Sequence, residues 1–220
     1  MSDALPPIWY IYGAGGLGLE TMDILTSCIG SGSIEPHTCS FVVDQPEGDR
    51  INGYPLVSFE ECVPDSKVSI AVGEPELRSN LAEKCLSKGL ELSSLISPYA
   101  YISGSAILNE GVVIAPFASI QASARIAKNV AVNTQAIVGH HVIVSEHSVI
   151  SSQVNLGGGS IIGSRSYVGM GALVREQLKI GESSIVGMGS VVHRDIPDGV
   201  IAMGNPARPL KNNIDKKVFG

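Results

Sequence analysis

From Ile102 onward the chain repeats with a period of six. Sixteen consecutive positions six apart, running from Ile102, Leu108 and Ile114 to Ile180, Val186 and Val192, are all Ile, Leu or Val. The positions four further on, Ala106 through Ile196, are all small or aliphatic. A helix repeats at 3.6 residues and a strand at 2, so a sustained six fits neither. It fits a solenoid whose coil has three flat sides of six residues. One aliphatic side chain per side points inward, and small residues pack the corners. Sixteen hexads make a little over five coils, and at about 4.8 Å per coil the prism is roughly 25 Å tall.

The first ninety-odd residues have a different texture, in which strand and helix alternate. Residues 8–12 are apolar, β-branched or aromatic. The loop Gly13-Ala14-Gly15-Gly16-Leu17-Gly18 follows, and then a helix over 19–26. A second strand, 39–43, ends at Asp44. A third, 68–72, ends at Gly73. Residues 74–88 are helical, with Leu77, Leu81 and Cys85 at i, i+4 and i+8. This alternation predicts a small parallel sheet covered by helices.

Composition narrows the function classes. The 220 residues are 44% hydrophobic but 5% aromatic, with 25 glycines, so the core is aliphatic. A net charge of −6, from 15 basic and 21 acidic residues, argues against nucleic acid as the main partner. Cys28, Cys39, Cys62 and Cys85 form no C-x-x-C pair and read as free thiols in a reducing compartment. No secretion signal precedes the first strand, and no run approaches 18 apolar residues. A cytoplasmic protein with no membrane partner is the expectation.

On the prism, His140, His141 and His147 fall within eight residues. At 18 residues per coil, Gly158 lies directly above His140, inside the run Gly157-Gly158-Gly159. An imidazole beside exposed backbone N–H groups suits acyl transfer, in which a base takes a proton and an amide stabilises an oxyanion. Surface histidines beside glycines that merely turn a corner are an equal reading from spacing alone. A metal is the weaker expectation. His140 and His141, taken as neighbours in a strand, would point to opposite sides, and His141 and His147 would lie on different faces. The glycine loop has a second reading as the outline of a dinucleotide fingerprint. Fewer than 100 residues form only half of such a fold, however, and the helix N-terminus would receive a nucleotide-sugar diphosphate equally well.

The hexads resemble those of the hexapeptide-repeat acyltransferases. The segment Asn133-Thr134-Gln135-Ala136-Ile137-Val138-Gly139-His140-His141 is similar to that of bacterial sugar acetyltransferases acting on nucleotide-linked amino sugars, and of the related sialic acid O-acetyltransferases. The stretch Gly187-Met188-Gly189-Ser190 through Gly204-Asn205-Pro206-Ala207-Arg208 is similar to the wider class. The resemblance implies an α/β, Rossmann-like nucleotide-sugar-binding domain over 1–97 and a left-handed parallel β-helix with a C-terminal tail over 98–220. Right-handed crossovers are the general rule, so the handedness comes from the resemblance alone. It further implies an acetyl-CoA-dependent N-acetyltransferase that needs no metal, assembled as a homotrimer with active sites between prisms. O-acetylation of a sugar and a non-catalytic assembly protein are the alternatives. His140 would be the catalytic base, with His141 and Asn133 completing the catalytic segment. Gly15, Gly16, Leu17, Asp44, Gln45 and Gly73 would bind the nucleotide sugar. Gly158 would sit near the thioester, with Val149, Met170 and Met188 along the acetyl-CoA cleft. The sequence departs from the family at three of these sites. His141 stands where an acid is usual, and Val149 and Leu17 stand where histidines are often found.

Overall fold

The computed structural model describes residues 8–35 and 38–219. Its N-terminal half is a six-stranded sheet in the order β3-β4-β2-β1-β5-β6. The central strand β1 (Ile8–Tyr12) pairs in parallel with β2 (Thr38–Val43) on one side and β5 (Lys67–Ile70) on the other. β6 (Glu91–Leu92) extends one edge in parallel. On the other edge β4 (Tyr54–Ser58) pairs in parallel with β2 and antiparallel with β3 (Arg50–Ile51). The β3–β4 hairpin was not among the expected elements, because its strands are short and its turn, Asn52-Gly53, is the only strong local signal. Side chains alternate across β1. Trp9 and Ile11 pack under α1 (Gly16–Gly30), and Tyr10 and Tyr12 pack under α2 (Pro75–Ser87).

One expected stripe is corrected. Leu77, expected in the buried face of α2, is exposed, and Arg78 is buried at 0% exposure beside Leu81 and Cys85. The reason is polar rather than apolar. The Arg78 guanidinium donates to the carbonyls of Ile70 (2.7 Å), Val72 (3.0 Å) and Asn129 (3.0 Å), and to the Asn129 side-chain Oδ1 (2.9 Å). Burial pushes its pKa down to about 9, which still leaves it charged at neutral pH.

The second half is a three-sided parallel β-solenoid. Two-residue rungs pair with rungs 18 residues away: Val113–Ile114 lies between Leu95–Ile96 and Ala131–Val132. The three sides form sheets of eight, six and five strands. The first rung, Leu95–Ile96, lies just ahead of the 97/98 division drawn from the sequence. The inward positions from Ile114 to Val192 are buried, and Ile102 and Leu108, at the open lower end, are half-buried. A backbone residue of positive φ recurs every six residues from Gly111 to Gly189, including Phe117, Asn129, Gln135, His141 and His147, all near +60°. Three corner serines form a ladder. Ser148, Ser166 and Ser184 each donate to a carbonyl of the next corner segment, those of Gly163, Gly181 and Pro197, at 2.6–2.7 Å. An antiparallel hairpin, Val200–Gly204 with Ala207–Asn212, closes the top and buries Val200, Ala202 and Ala207 in the prism core. The four cysteines are free thiols.

The two halves share a hydrophobic core and a buried polar joint. Leu95, Val113 and Ala115 of the prism pack with Trp9, Ile11, Met22 and Leu25. At the joint, Asn129 Nδ2 donates to the Arg78 carbonyl (3.0 Å) and to His147 Nδ1 (3.0 Å). His147 is thereby fixed as an acceptor at Nδ1. Burial holds its pKa below the ordinary imidazole value, opposed by Glu146 and reinforced by Arg78, Arg165 and Lys128. Its folded pKa being depressed, His147 contributes stability that is fully present above the unfolded value of about 6.5 and is lost as pH falls through the folded value. His147→Asn keeps an acceptor at the same place and cannot titrate. The wild-type urea midpoint should therefore fall further between pH 8 and pH 5 than that of the variant. Equal falls would contradict the assignment.

Candidate active site

The histidine pair sits at a corner of the prism. Val138 points inward, Gly139 follows, and His140 and His141 form the turn before Ile143–Val144. The expectation that the two lie in a strand and point apart is corrected here. Their ring Nδ1 atoms are 3.1 Å apart and the rings meet edge to face at 84°. The hexad repeat causes this, because it places a left-handed residue at every corner and His141 takes it with φ 58°. One of the two Nδ1 atoms must carry the hydrogen. When it is His140, its Nε2 holds a free lone pair. Both side chains are exposed.

Gly158 lies against the His140 ring. A Cβ built on Gly158 would overlap Cε1 and Nε2 of that imidazole. The corner is held by backbone bonds on both sides. The Gly159 N–H donates to the His140 carbonyl (2.8 Å), and the Gln177 N–H to the Gly158 carbonyl (3.0 Å). Gly139 and Gly157 are also too close to the coil above for a side chain. The glycines therefore do turn a corner, and at Gly158 the absence of a side chain also makes room for the imidazole.

Asn133, Met170 and Met188 do not share this corner. They lie at the preceding one, on the other edge of the same prism side. Met170 and Met188 are exposed and line a cleft of about 430 Å³ together with Tyr167, Ile185, Ile201 and Met203. Lys211, Lys217, Val218 and Phe219 form its outer wall. Val149 has its side chain buried, at 1% exposure, in the rung below Tyr167–Val168.

The glycine loop separates into two kinds of glycine. Gly13 has φ 118°, and a Cβ there would stand 2.6 Å from the Ala71 carbonyl oxygen, so it is structural. Gly15, the N-cap of α1, and Gly16, its first residue, face open space. No side chain caps this helix start, so its N–H groups are available to an anion. Leu17 approaches Gly73, where the Phe219 ring also rests. Asp44 accepts from Tyr12 Oη (2.5 Å) and from Lys84 Nζ, and Lys84 also donates to Tyr12 Oη (3.1 Å). The Lys84 contact, followed by that of Tyr12, holds the Asp44 carboxyl below its ordinary value. Burial, and then Asp44, pushes the Tyr12 phenol up. Gln45 is exposed beside this cluster. Lys84 and Phe219 escaped the sequence reading, because each reaches its partners across long stretches of chain and neither lies in a recognisable motif. Among the described residues, no three His, Cys, Asp or Glu side chains gather to hold a metal ion. No helix among them is long and apolar enough to cross a membrane.

No family model matches the chain. Solved structures do. The acetyltransferase domain of PglB from Neisseria gonorrhoeae, determined in complex with acetyl coenzyme A, is 32% identical. The match covers 93% of this chain and 100% of that one, with a TM-score of 0.85. The chain belongs to the hexapeptide-repeat sugar acetyltransferase family. PerB from Caulobacter crescentus, determined in complex with CoA and GDP-perosamine, is 30% identical over 96% of this chain and 100% of its own, with a TM-score of 0.83. WeeI from Acinetobacter baumannii is 26% identical over 92% and 99%, with a TM-score of 0.81. These matches span both halves of this family member, the glycine-loop sheet as well as the prism.

The packing of His140 on Gly158 has a direct consequence. Gly158→Ala should displace the imidazole and break its bond to His141, while the inward aliphatic core is untouched. The ¹⁵N resonances of both imidazoles should shift in the variant, with the melting temperature within a few degrees of wild type. Unchanged imidazole resonances would mean that the two residues do not touch.

Proposed function

We propose that the protein is an acetyl-CoA-dependent N-acetyltransferase acting on the amine of a nucleotide-linked amino sugar, with His140 as general base. The observation that carries this reading is His140, its Nδ1 tied to His141 and its ring laid over Gly158. It stands in a chain similar along nearly its whole length to a domain solved with acetyl coenzyme A and to a protein solved with GDP-perosamine.

The nucleotide sugar's diphosphate lies at the open start of α1, against the amides of Gly15, Gly16 and Leu17. Asp44, Gln45 and Lys84 take the nucleoside end, and Gly73, with the Phe219 ring against it, closes that pocket. His140 Nε2 accepts a proton from the amine as its nitrogen attacks the thioester carbonyl. The backbone at Gly158 stabilises the oxyanion. Collapse breaks the C–S bond, and the thiolate leaves and takes up a proton. His141 fixes the His140 tautomer in the place where the family uses an acid. Met170 and Met188 flank the arm of the coenzyme, and the buried Val149 acts only beneath that wall.

His140 and the methionine cleft lie at two different corners of one prism. A complete site on this reading takes His140 and Gly158 from one chain and the methionine cleft from its neighbour, as in a homotrimer of left-handed prisms. A cytoplasmic location follows from the two substrates.

Thiol release from acetyl-CoA, measured against a panel of UDP-, GDP- and dTDP-linked amino sugars, tests the proposal. One or more should yield the N-acetyl product. His140→Ala should lower kcat by about 10²–10⁴-fold with little change in acetyl-CoA binding, and His141→Ala should cost less. Acetyl-CoA binding with no turnover on any acceptor would instead favour an assembly protein. Turnover on sialic acid alone would favour O-acetylation. A His140→Ala variant near wild type, with His141→Ala inactive, would reverse the two roles.

A further inference from the structure

We propose that Phe219 is an acceptor-positioning residue, its ring forming the wall between the glycine loop and the methionine cleft, and that Glu74 is the clamp that holds it there. This rests on the reading of the protein as a nucleotide-sugar acetyltransferase.

Phe219 is where the two candidate binding sets meet. On one side its ring lies over Gly73, with Cε2 3.4 Å from the place a Cβ would occupy, and Leu17 Cδ2 is 4.0 Å from the same place. On the other side it meets Tyr167 edge to face at 5.8 Å and lines the cleft that holds Met170 and Met188. A Cβ at position 73 would touch the ring at van der Waals distance.

The clamp is specific. Glu74 follows Gly73 and is the N-cap residue of α2. Its two carboxylate oxygens each accept one backbone N–H, from Val218 at 2.8 Å and from Phe219 at 2.7 Å. Lys216 adds an ion pair with Glu76 at 3.2 Å. Charge-assisted bonds of this kind are stronger than neutral ones and fix direction as well as distance. They hold a ring that remains 58% exposed. Burial therefore does not account for its place, whereas Phe41 and Phe59 are core residues. An exposed aromatic face beside a glycine offers what the C–H face of a sugar ring packs against, a large rigid apolar surface with little rotamer entropy to lose.

The test has two arms. Amide hydrogen exchange at Val218 and Phe219, with no ligand added, should be slower in the wild type than in Glu74→Ala. Equal exchange would overturn the clamp. In the second arm, Phe219→Ala should raise KM for the nucleotide amino sugar about three- to tenfold, and by a larger factor than it raises KM for acetyl-CoA, because a single aromatic contact carries an effect of that size. Phe219→Tyr should restore KM. Glu74→Ala should raise KM similarly, and the double variant no further. A Phe219→Ala variant with unchanged KM, in a wild-type background that turns over, would overturn this proposal alone. A lowered KM would mean that the segment blocks the site, which also overturns it. A wild-type chain inactive on every acceptor overturns the functional reading and this proposal with it.

Discussion

Each coil of the prism must return to its starting point after eighteen residues, because the backbone hydrogen bonds between coils allow no other register. The pairing of Val113 with Leu95 below and Ala131 above is repeated around all three sides. To turn three corners in eighteen residues, the chain places one residue per corner near φ +60°. For a non-glycine residue that costs on the order of 1–2 kcal/mol, and the stacked, buried aliphatic core offsets it. The geometry of the histidine pair follows from this constraint. It puts His141 in a left-handed turn, brings its ring back against His140, and stacks Gly158 over the His140 ring.

The same constraint explains what the sequence disclosed. A six-residue period survives any change of surface residue, so the prism was legible from Ile102 to Val192, and so was the stacking of Gly158 on His140. What lay outside the period was less legible. Adjacency alone puts the two histidines in a strand, although the period itself puts a turn at that position. Spacing puts Leu77 on the buried face of α2, yet Arg78 occupies it. A buried guanidinium that bonds only to carbonyls and one amide leaves no charge pattern in the sequence. Phe219 lies beyond the last hexad, in a stretch without periodicity, and its meaning comes from Glu74, 145 residues earlier.

On the proposed function, the joint between the halves aligns the two binding regions as well as stabilising the fold. Arg78, Asn129 and His147 form a closed set of hydrogen bonds across the boundary, and breaking one partner would leave a buried polar group unpaired. α2 is thereby fixed relative to the prism. The two residues that precede it, Gly73 and Glu74, are held beside the upper coils, and the glycine loop is held next to them. A glycine loop on a loosely attached domain could bind a diphosphate, but it could not present an amine at a fixed distance from a thioester. The family relationship accounts for the parts, and the joint accounts for their alignment.

The most direct test is a crystal structure of the assembled protein with CoA and the nucleotide amino sugar that it acetylates best. The amine nitrogen should lie within about 2.6–3.2 Å of His140 Nε2. The CoA sulfur should lie beside Gly158 of the same chain, with the pantetheine arm along Met170 and Met188 of a neighbouring chain. An amine remote from either histidine, or a coenzyme bound away from Gly158, would contradict the account.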